Sequence, residues 1–260
     1  MRKHIFGGRG LSRVPLIRKA NFAIEKFLKG KKEDVIMKRG LTIHLDPRQS
    51  LAEPFTAYEP QSTEALEKYL RPGDVFVDVG ASIGWFTLIA AKAVGKSGKV
   101  YAFEPQPDSL NLLKKNVAAN HFENVVVPTQ AVVANKGGTT KLYAVGGAWT
   151  WSSVFDPRKD YEKNIEANFR KDEDRTVREY EVESVRLDDV LPGKVDFLKV
   201  DVEGANDDVV RGALAMIKRN PAMKLLIEHP SEETIHGLQA MGYAYEFIDG
   251  LNGFFRKSHS

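Results

Sequence analysis

The stretch Asp74-Val75-Phe76-Val77-Asp78-Val79-Gly80-Ala81-Ser82-Ile83-Gly84-Trp85-Phe86 leaves this chain few folds to choose from. An apolar run, broken only by Asp78, opens into small residues, and a helix-like apolar run from Trp85 to Val94 follows at once. Strand, small-residue turn and helix N-terminus in succession mark the place where an α/β sheet lets a ligand approach the backbone. Gly80 and Gly84 permit positive φ, and the N–H groups of the first helical turn are expected to face the ligand. A carboxylate on the last turn of a buried strand, Asp78, is not explained by a tight turn alone.

Different ligands make different demands on such a turn. A dinucleotide site reads G-x-G-x-x-G, whereas here position 82 is Ser and position 85 is Trp. Gly80-Ala81-Ser82-Ile83-Gly84 does match G-x-S-x-G, the nucleophile elbow of α/β-hydrolases, with Ser82 as nucleophile. Such an enzyme also needs an oxyanion segment upstream, yet only one hairpin and no Gly-rich loop precede the turn. The third ligand class depends on a second strand, Lys99 to Phe103, which ends in Glu104-Pro105. If consecutive strands are neighbours, Glu104 stands beside the Gly80 turn. A carboxylate there can accept both hydroxyls of a ribose, and Asp78 can address an ammonium group. A turn too tight for pyrophosphate, paired with that carboxylate, suits S-adenosyl-L-methionine better than NAD.

Four segments together look like the FkbM family of class I methyltransferases: Asp78-x-Gly80-Ala81-x-x-Gly84; Phe103-Glu104-Pro105-x-Pro107; Asn116 to Asn120; and Lys199-Val200-Asp201-Val202-Glu203-Gly204. The resemblance covers roughly residues 58 to 230. It implies a doubly wound, Rossmann-like α/β domain with seven mostly parallel strands and an antiparallel last strand. It also implies methyl transfer from S-adenosyl-L-methionine, usually to a hydroxyl. In its light Glu59 faces the cofactor pocket, Ser82 only lines the turn, and Gln130 and Ala131 pass the adenine.

The rest of the chain fills in that frame. A hairpin is predicted from Val35 to Leu45 around Lys38-Arg39-Gly40, with His44 on its polar face. Helices are predicted over Ser62–Leu70, with Ser62 or Thr63 as N-cap, and over Pro107–Asn120. The third core strand starts at Asn124 and runs on toward Val132. Gly137 to Leu191 interrupts the α/β alternation with strand-like pieces around Trp149, Trp151, Ser152, Ser153, Phe155 and Tyr161. It is expected to project over the carboxyl edge of the sheet as a substrate lid, the two Trp serving either as stacking platforms or as anchors.

Val195 to Val200 is a buried strand that carries Lys199 and ends at Asp201. A hydroxyl acceptor is a poor nucleophile, so Asp201, Glu203 or a neutral Lys199 within reach could take its proton. Asp201 and Glu203 could instead chelate a divalent cation, or simply favour the dipole of a helix from Asp207 to Lys218. The next strand ends in Glu228-His229-Pro230 on the same edge, and His229 is the best histidine candidate for a base. Two closing strands joined by a short loop must be antiparallel.

Charge and composition bound the partners. The net charge of +3 conceals ten Lys and Arg against Glu25 alone in residues 1–32, a local +9 that leaves −6 for the remainder. Leu16, Ala20, Ala23, Ile24, Phe27 and Leu28 recur there at helical spacing, which predicts a basic amphipathic helix over residues 1–34. It either packs on the domain of residues 35–260 or lies on an anionic membrane near a lipid-linked acceptor. Nothing aromatic-interleaved continues the basic pattern, so nucleic acid is not expected. With no cysteine, no long apolar run and no signal-peptide pattern, a cytoplasmic enzyme is expected. A hydroxyl of a sugar in a glycan or glycolipid is the expected acceptor, and a polyketide or other secondary-metabolite hydroxyl the runner-up. An α/β-hydrolase and a non-catalytic cofactor-binding protein are the alternatives from other classes.

Overall fold

The computed structural model describes residues 34–45, 59–145, 152–160 and 176–257. The basic segment 1–32, Trp149, Trp151 and Tyr161 lie outside these. Short runs rich in Val, Ile, Leu and Phe form seven strands of one sheet: β3 (Val75–Val79), β4 (Lys99–Phe103), β5 (Val126–Thr129), β10 (Phe197–Val200), β11 (Lys224–Glu228), β12 (Tyr243–Ile248) and β13 (Asn252–Lys257). Their order is β12-β13-β11-β10-β3-β4-β5. Every neighbouring pair from β11 to β5 is parallel, while β13 runs antiparallel to both β11 and β12. The order reverses between β3 and β10, and this switch point is where a doubly wound sheet opens a crevice at its carboxyl edge.

Alternation along the strands sends side chains to two cores. Phe76 and Phe197 join the cluster beneath helices α1 (Pro60–Tyr69), α2 (Trp85–Val94) and α3 (Pro107–Ala119). Val77, Val79, Leu198 and Val200 join the cluster on the other face, under α4 (Leu187–Val190), α5 (Asn206–Arg211), α6 (Leu214–Arg219) and α7 (Glu232–Ala240). Asp78 and Lys199 therefore share the α2 face. Helix α2 is apolar nearly all round, and α1 covers the side that the sheet does not.

The hairpin β1 (Asp34–Lys38) and β2 (Leu41–Leu45) turns on Arg39 and Gly40 at φ 53° and 73°, the two left-handed residues of a type I′ turn, so Lys38 belongs to the strand. Two asparagines of α3 hold it. Asn116 Oδ1 accepts from His44 N at 2.7 Å, and Asn120 Oδ1 accepts from Thr42 N at 2.9 Å. Asn116 Nδ2 also donates to Ile83 O at 2.8 Å, tying the hairpin to the back of the Gly80 turn.

Several elements depart from the sequence expectation for identifiable reasons. Helix α1 begins at Pro60, and Ser62 and Thr63 are buried within it. Its cap comes from the far end of the chain: Asp249 accepts from Gln61 N at 2.9 Å and Ser62 N at 2.5 Å. The single helix expected from Asp207 to Lys218 is two, α5 and α6, broken at Gly212. A Cβ there would lie 2.2 Å from the Ala134 carbonyl oxygen, and Asp188 caps the fresh start by accepting from Ala215 N and Met216 N. The third core strand ends at Thr129. Val132–Val133 (β6) belongs instead to a second sheet, β6-β9-β7-β8, with β7 at Gly138–Val145, β8 at Ser152–Ser153 and β9 at Val177–Val185.

Candidate active site

At the Gly80 turn the backbone is used up by the fold. Gly80 N and Ala81 N both donate to Phe103 O at 3.0 Å, Gly84 N donates to Ala81 O, and Ser82 N donates to Glu104 Oε2 at 2.8 Å. Amides 80, 81, 82 and 84 are therefore already taken, three of them by the adjoining strand end, and the first helical turn begins only after them, at Trp85. Gly80 has φ 80°, and a Cβ on it would stand 1.8 Å from the carbonyl oxygen of Asp201. Glycine is required because the loop after β10 presses directly on the turn. At Gly84, φ 99°, the added Cβ would meet Leu113 Cδ1 at 2.5 Å.

Carboxylates, rather than amides, line this edge. Glu104 is buried, and its Oε1 accepts from Gln106 N at 2.9 Å. Burial pushes its carboxyl up to about 7, against the two backbone N–H groups that favour the ionised form. Pro105 follows, and the exposed Gln130 reaches the Pro105 carbonyl at 3.4 Å, while Ala131 is buried in the core of the opposite face.

A second group forms at the switch point. Asp78 and Lys199 face each other across β3 and β10, with Lys199 Nζ 3.7 Å from Asp78 Oδ1, 2.9 Å from Asp201 Oδ2 and 4.8 Å above the Phe86 ring. Asp78 Oδ2 accepts from Thr87 Oγ1 at 2.6 Å. Its Oδ1, fully buried, has no hydrogen-bond partner among the described residues. Burial raises the Asp78 carboxyl, with Lys199 and Thr87 opposing. Val200 pairs with Ile227, so Asp201 and Glu228 are the next residues on adjacent parallel strand ends. Burial and then the Asp201 charge beside it push Glu228 up to about 8. Burial works against Asp201 as well, but the Lys199 ammonium at 2.9 Å leads the opposing interactions that hold Asp201 below the ordinary carboxylate range.

The remaining candidates sit around this group. Glu203 is exposed on the loop after Asp201, and its carbonyl accepts from Ser153 Oγ of β8 at 3.2 Å. Phe155 stands 59% exposed with its ring over Gly204. His229 is exposed at φ 43°, its N–H donating to Leu251 O. Glu59 accepts from Asn252 Nδ2 at 2.9 Å, and Asn252 lies opposite Glu228 in the β11–β13 ladder. Asp78, Lys199 and Asp201 thus form one chain of contacts, with Glu228 on the adjacent strand end and Glu59 bound beyond it through Asn252. Sequence reasoning named neither Glu228 nor Asn252 as a site residue. The signal for Glu228 was its place at a strand end, but its partner is set by a register that no motif encodes. Among the described residues no group of three or more His, Asp or Glu is arranged to hold a metal ion.

These features suit S-adenosylmethionine. The orphaned Asp78 oxygen and the acid-rich edge would hold its ammonium and sulfonium charges, and Glu104 its ribose. The Ser82 hydroxyl has no histidine bonded to it among the described residues, so the elements of a hydrolase triad are not assembled. A doubly wound sheet with this strand order, an antiparallel β13 and carboxylates at its switch point is the class I methyltransferase arrangement. The model of the methyltransferase FkbM domain matches residues 78–247, and the chain belongs to that family. It is 31% identical over 153 residues to methyltransferase sdnD of Sordaria araneosa, covering 52% of this chain and 59% of that one. It is 32% identical over 161 residues to the 31-O-demethyl-FK506 methyltransferase FkbM of Streptomyces tacrolimicus, covering 55% and 60%. The matches thus span about three fifths of these relatives' length. A solved FkbM methyltransferase from Methylobacillus flagellatus aligns with TM-score 0.47 at 15% identity, over 74% of this chain and 50% of that one.

Proposed function

We propose that the protein is an O-methyltransferase that transfers the methyl of S-adenosylmethionine to an alcohol hydroxyl, most simply a sugar hydroxyl of a glycan or glycolipid. The observation that carries this reading is the contact chain Asp78–Lys199–Asp201 at the carboxyl edge, with Ser153 bonded to the loop beside it and Phe155 lying over that loop. When bound, the cofactor supplies a methyl group already activated by its sulfonium. What remains for the protein is to position the acceptor oxygen in line and take its proton.

In this reading Glu104 holds the ribose, Asp78 serves the ammonium end, and the exposed Gln130 borders the adenine, with Ala131 buried behind it. Asp201 and Glu203, with Lys199 as counter-ion and His229 at the rim, face the acceptor. The exposed Phe155 ring offers a flat apolar surface suited to the C–H face of a sugar. A macrolide or other secondary-metabolite hydroxyl is the second reading, supported by a relative named for O-methylation of demethyl-FK506. The basic segment of residues 1–32 would favour an anionic or lipid-linked acceptor by its charge. Among the described residues no helix is long and apolar enough to cross a membrane.

The test is transfer of labelled methyl from S-adenosylmethionine into an extract of the source cells, followed by mass spectrometry of the product. Label on oxygen is expected. Label on nitrogen or carbon contradicts O-methylation, and cofactor binding without transfer to any acceptor would mark a protein that binds but does not catalyse.

A further inference from the structure

The second sheet is rooted in the domain core at one end and touches the Asp201 loop at the other. At the root Val132 pairs with Ser184 and Val133 with Val185, and Val133 and Val185 lie in the same core as Val77 and Val200. Toward the tip Ser153 pairs with Tyr143, five residues along β7 from the Gly138 that pairs with Ser184, roughly 17 Å at the rise of a strand. There the Ser153 hydroxyl, buried at 6% exposure, works in both senses. It donates to Glu203 O at 3.2 Å and accepts from Phe155 N at 3.1 Å. The first bond takes hold of the loop that carries Asp201 and Glu203. The start of that loop is already fixed by Asp201 N on Val79 O and by Val202 N on Asn206 Oδ1. The second bond shapes the turn that lays Phe155 over Gly204, where a Cβ would stand 3.5 Å from the ring.

Phe155 is held from both sides. Val154 packs on the small core of Val132, Leu142 and Val182. Arg158 grips Asp156 with two donors, at 2.7 and 2.8 Å, and lies over the Tyr143 ring. A ring that is 59% exposed is thus set in place by its neighbours, beside an acidic loop. An apolar face ordered in advance binds at a smaller entropic cost than one that must be ordered on contact. A hydroxylated ring can lay its C–H face on such a platform and turn its hydroxyls to the carboxylates. We infer that Ser153 is a positioning residue whose hydroxyl locks the Glu203 loop to Phe155, and that the Phe155 ring selects acceptors carrying an apolar C–H face beside their hydroxyls, as pyranosides do. This role rests on reading the Asp201 edge as the transfer site.

The test reads binding, so it is separate from the labelled-methyl assay, which reads transfer. Saturation-transfer NMR of the intact protein with S-adenosylhomocysteine bound is run with two probes. Methyl β-D-galactopyranoside has contiguous C–H groups on one face, and trans-1,2-cyclohexanediol is a hydroxylated ring without sugar oxygens. In the wild type, saturation should reach the C–H protons of one galactoside face. Phe155→Ala should weaken galactoside binding roughly three- to ten-fold. Ser153→Ala should weaken it about two-fold or more, and Ser153→Thr, which keeps the hydroxyl, should restore it. Affinity for S-adenosylhomocysteine, measured by calorimetry, should be the same in all of these, which shows that each variant is folded. Galactoside binding that is equal in the wild type and Phe155→Ala overturns the inference, even if the extract assay puts label on oxygen. Wild-type binding in Ser153→Ala, or no recovery in Ser153→Thr, overturns the role of the hydroxyl. Phe155-dependent binding of the diol alone overturns the pyranoside in favour of a non-sugar ring hydroxyl.

Discussion

At the scale of single residues, the site depends on one glycine and one raised carboxyl. Gly80 combines a left-handed φ with a position where any Cβ would meet the Asp201 carbonyl at 1.8 Å. Gly80→Ala carries about 1–2 kcal/mol of backbone cost before the clash is relieved, and relieving it must move the loop that holds Asp201. The variant should melt several degrees lower in a thermal scan and lose cofactor binding. Unchanged melting would show that the loop does not press on the turn. For Glu104 the sign follows from a folded-state pKa of about 7, raised above its ordinary 4.5. Its contribution to folding is fully present below 4.5 and is lost as pH rises through 7, because the empty site must then carry a buried charge. Cofactor hydroxyls donate to the ionised form, so affinity for S-adenosylhomocysteine should rise between pH 6 and pH 8, and in Glu104→Gln the profile should be flatter. A wild-type profile as flat as the variant's would contradict this. Asp78, Gly80 and Glu104 were legible in the sequence because strand, turn and strand end are local patterns. The bonding of the turn's own amides was not legible, because their acceptors, Phe103 O and Glu104, arrive from the neighbouring strand.

At the scale of elements, side chains far apart in sequence fix where the helices start and how the hairpin is held. Asn116 makes three hydrogen bonds, to both backbone groups of His44 and to Ile83 O. Asn116→Ala removes the partner of the buried Ile83 O and of the part-buried His44 N–H and C=O, at about 1–3 kcal/mol for the buried group and less for the others, so the urea midpoint should fall substantially with little change in slope. A midpoint within error of the wild type would mean the hairpin is held some other way. Asn116 and Asn120 entered the family resemblance as part of its pattern, and their contacts give them a structural job. Helix α1 shows what sequence reading misses. Ser62 satisfies every local rule for a cap, yet Asp249 supplies the cap from the β12–β13 turn. The break between α5 and α6 has the same origin, since Asp188 and Ala134 act on Gly212 and its successors through tertiary contacts.

At the scale of the whole molecule, the strand order brings together what the chain keeps far apart. Asp78, Glu104, Lys199 with Asp201, and Glu228 come from four segments, and adjacency of β4, β3, β10 and β11 sets them along one edge. The seven-stranded sheet was legible because alternating apolar runs and a short final loop constrain topology strongly. The adjacency of Asp201 and Glu228 was not, because it depends on register between strands more than twenty residues apart. The central claim is that this edge holds S-adenosylmethionine, with Glu104 gripping the ribose. The most direct measurement is calorimetry with S-adenosylhomocysteine on the wild type and Glu104→Ala at pH 8, where Glu104 is mostly ionised. Loss of hydrogen bonds to a charged acceptor, worth about 1.5–3 kcal/mol, should weaken binding about ten- to a hundred-fold. Wild-type affinity in the variant, or no binding by the intact protein, would contradict the account.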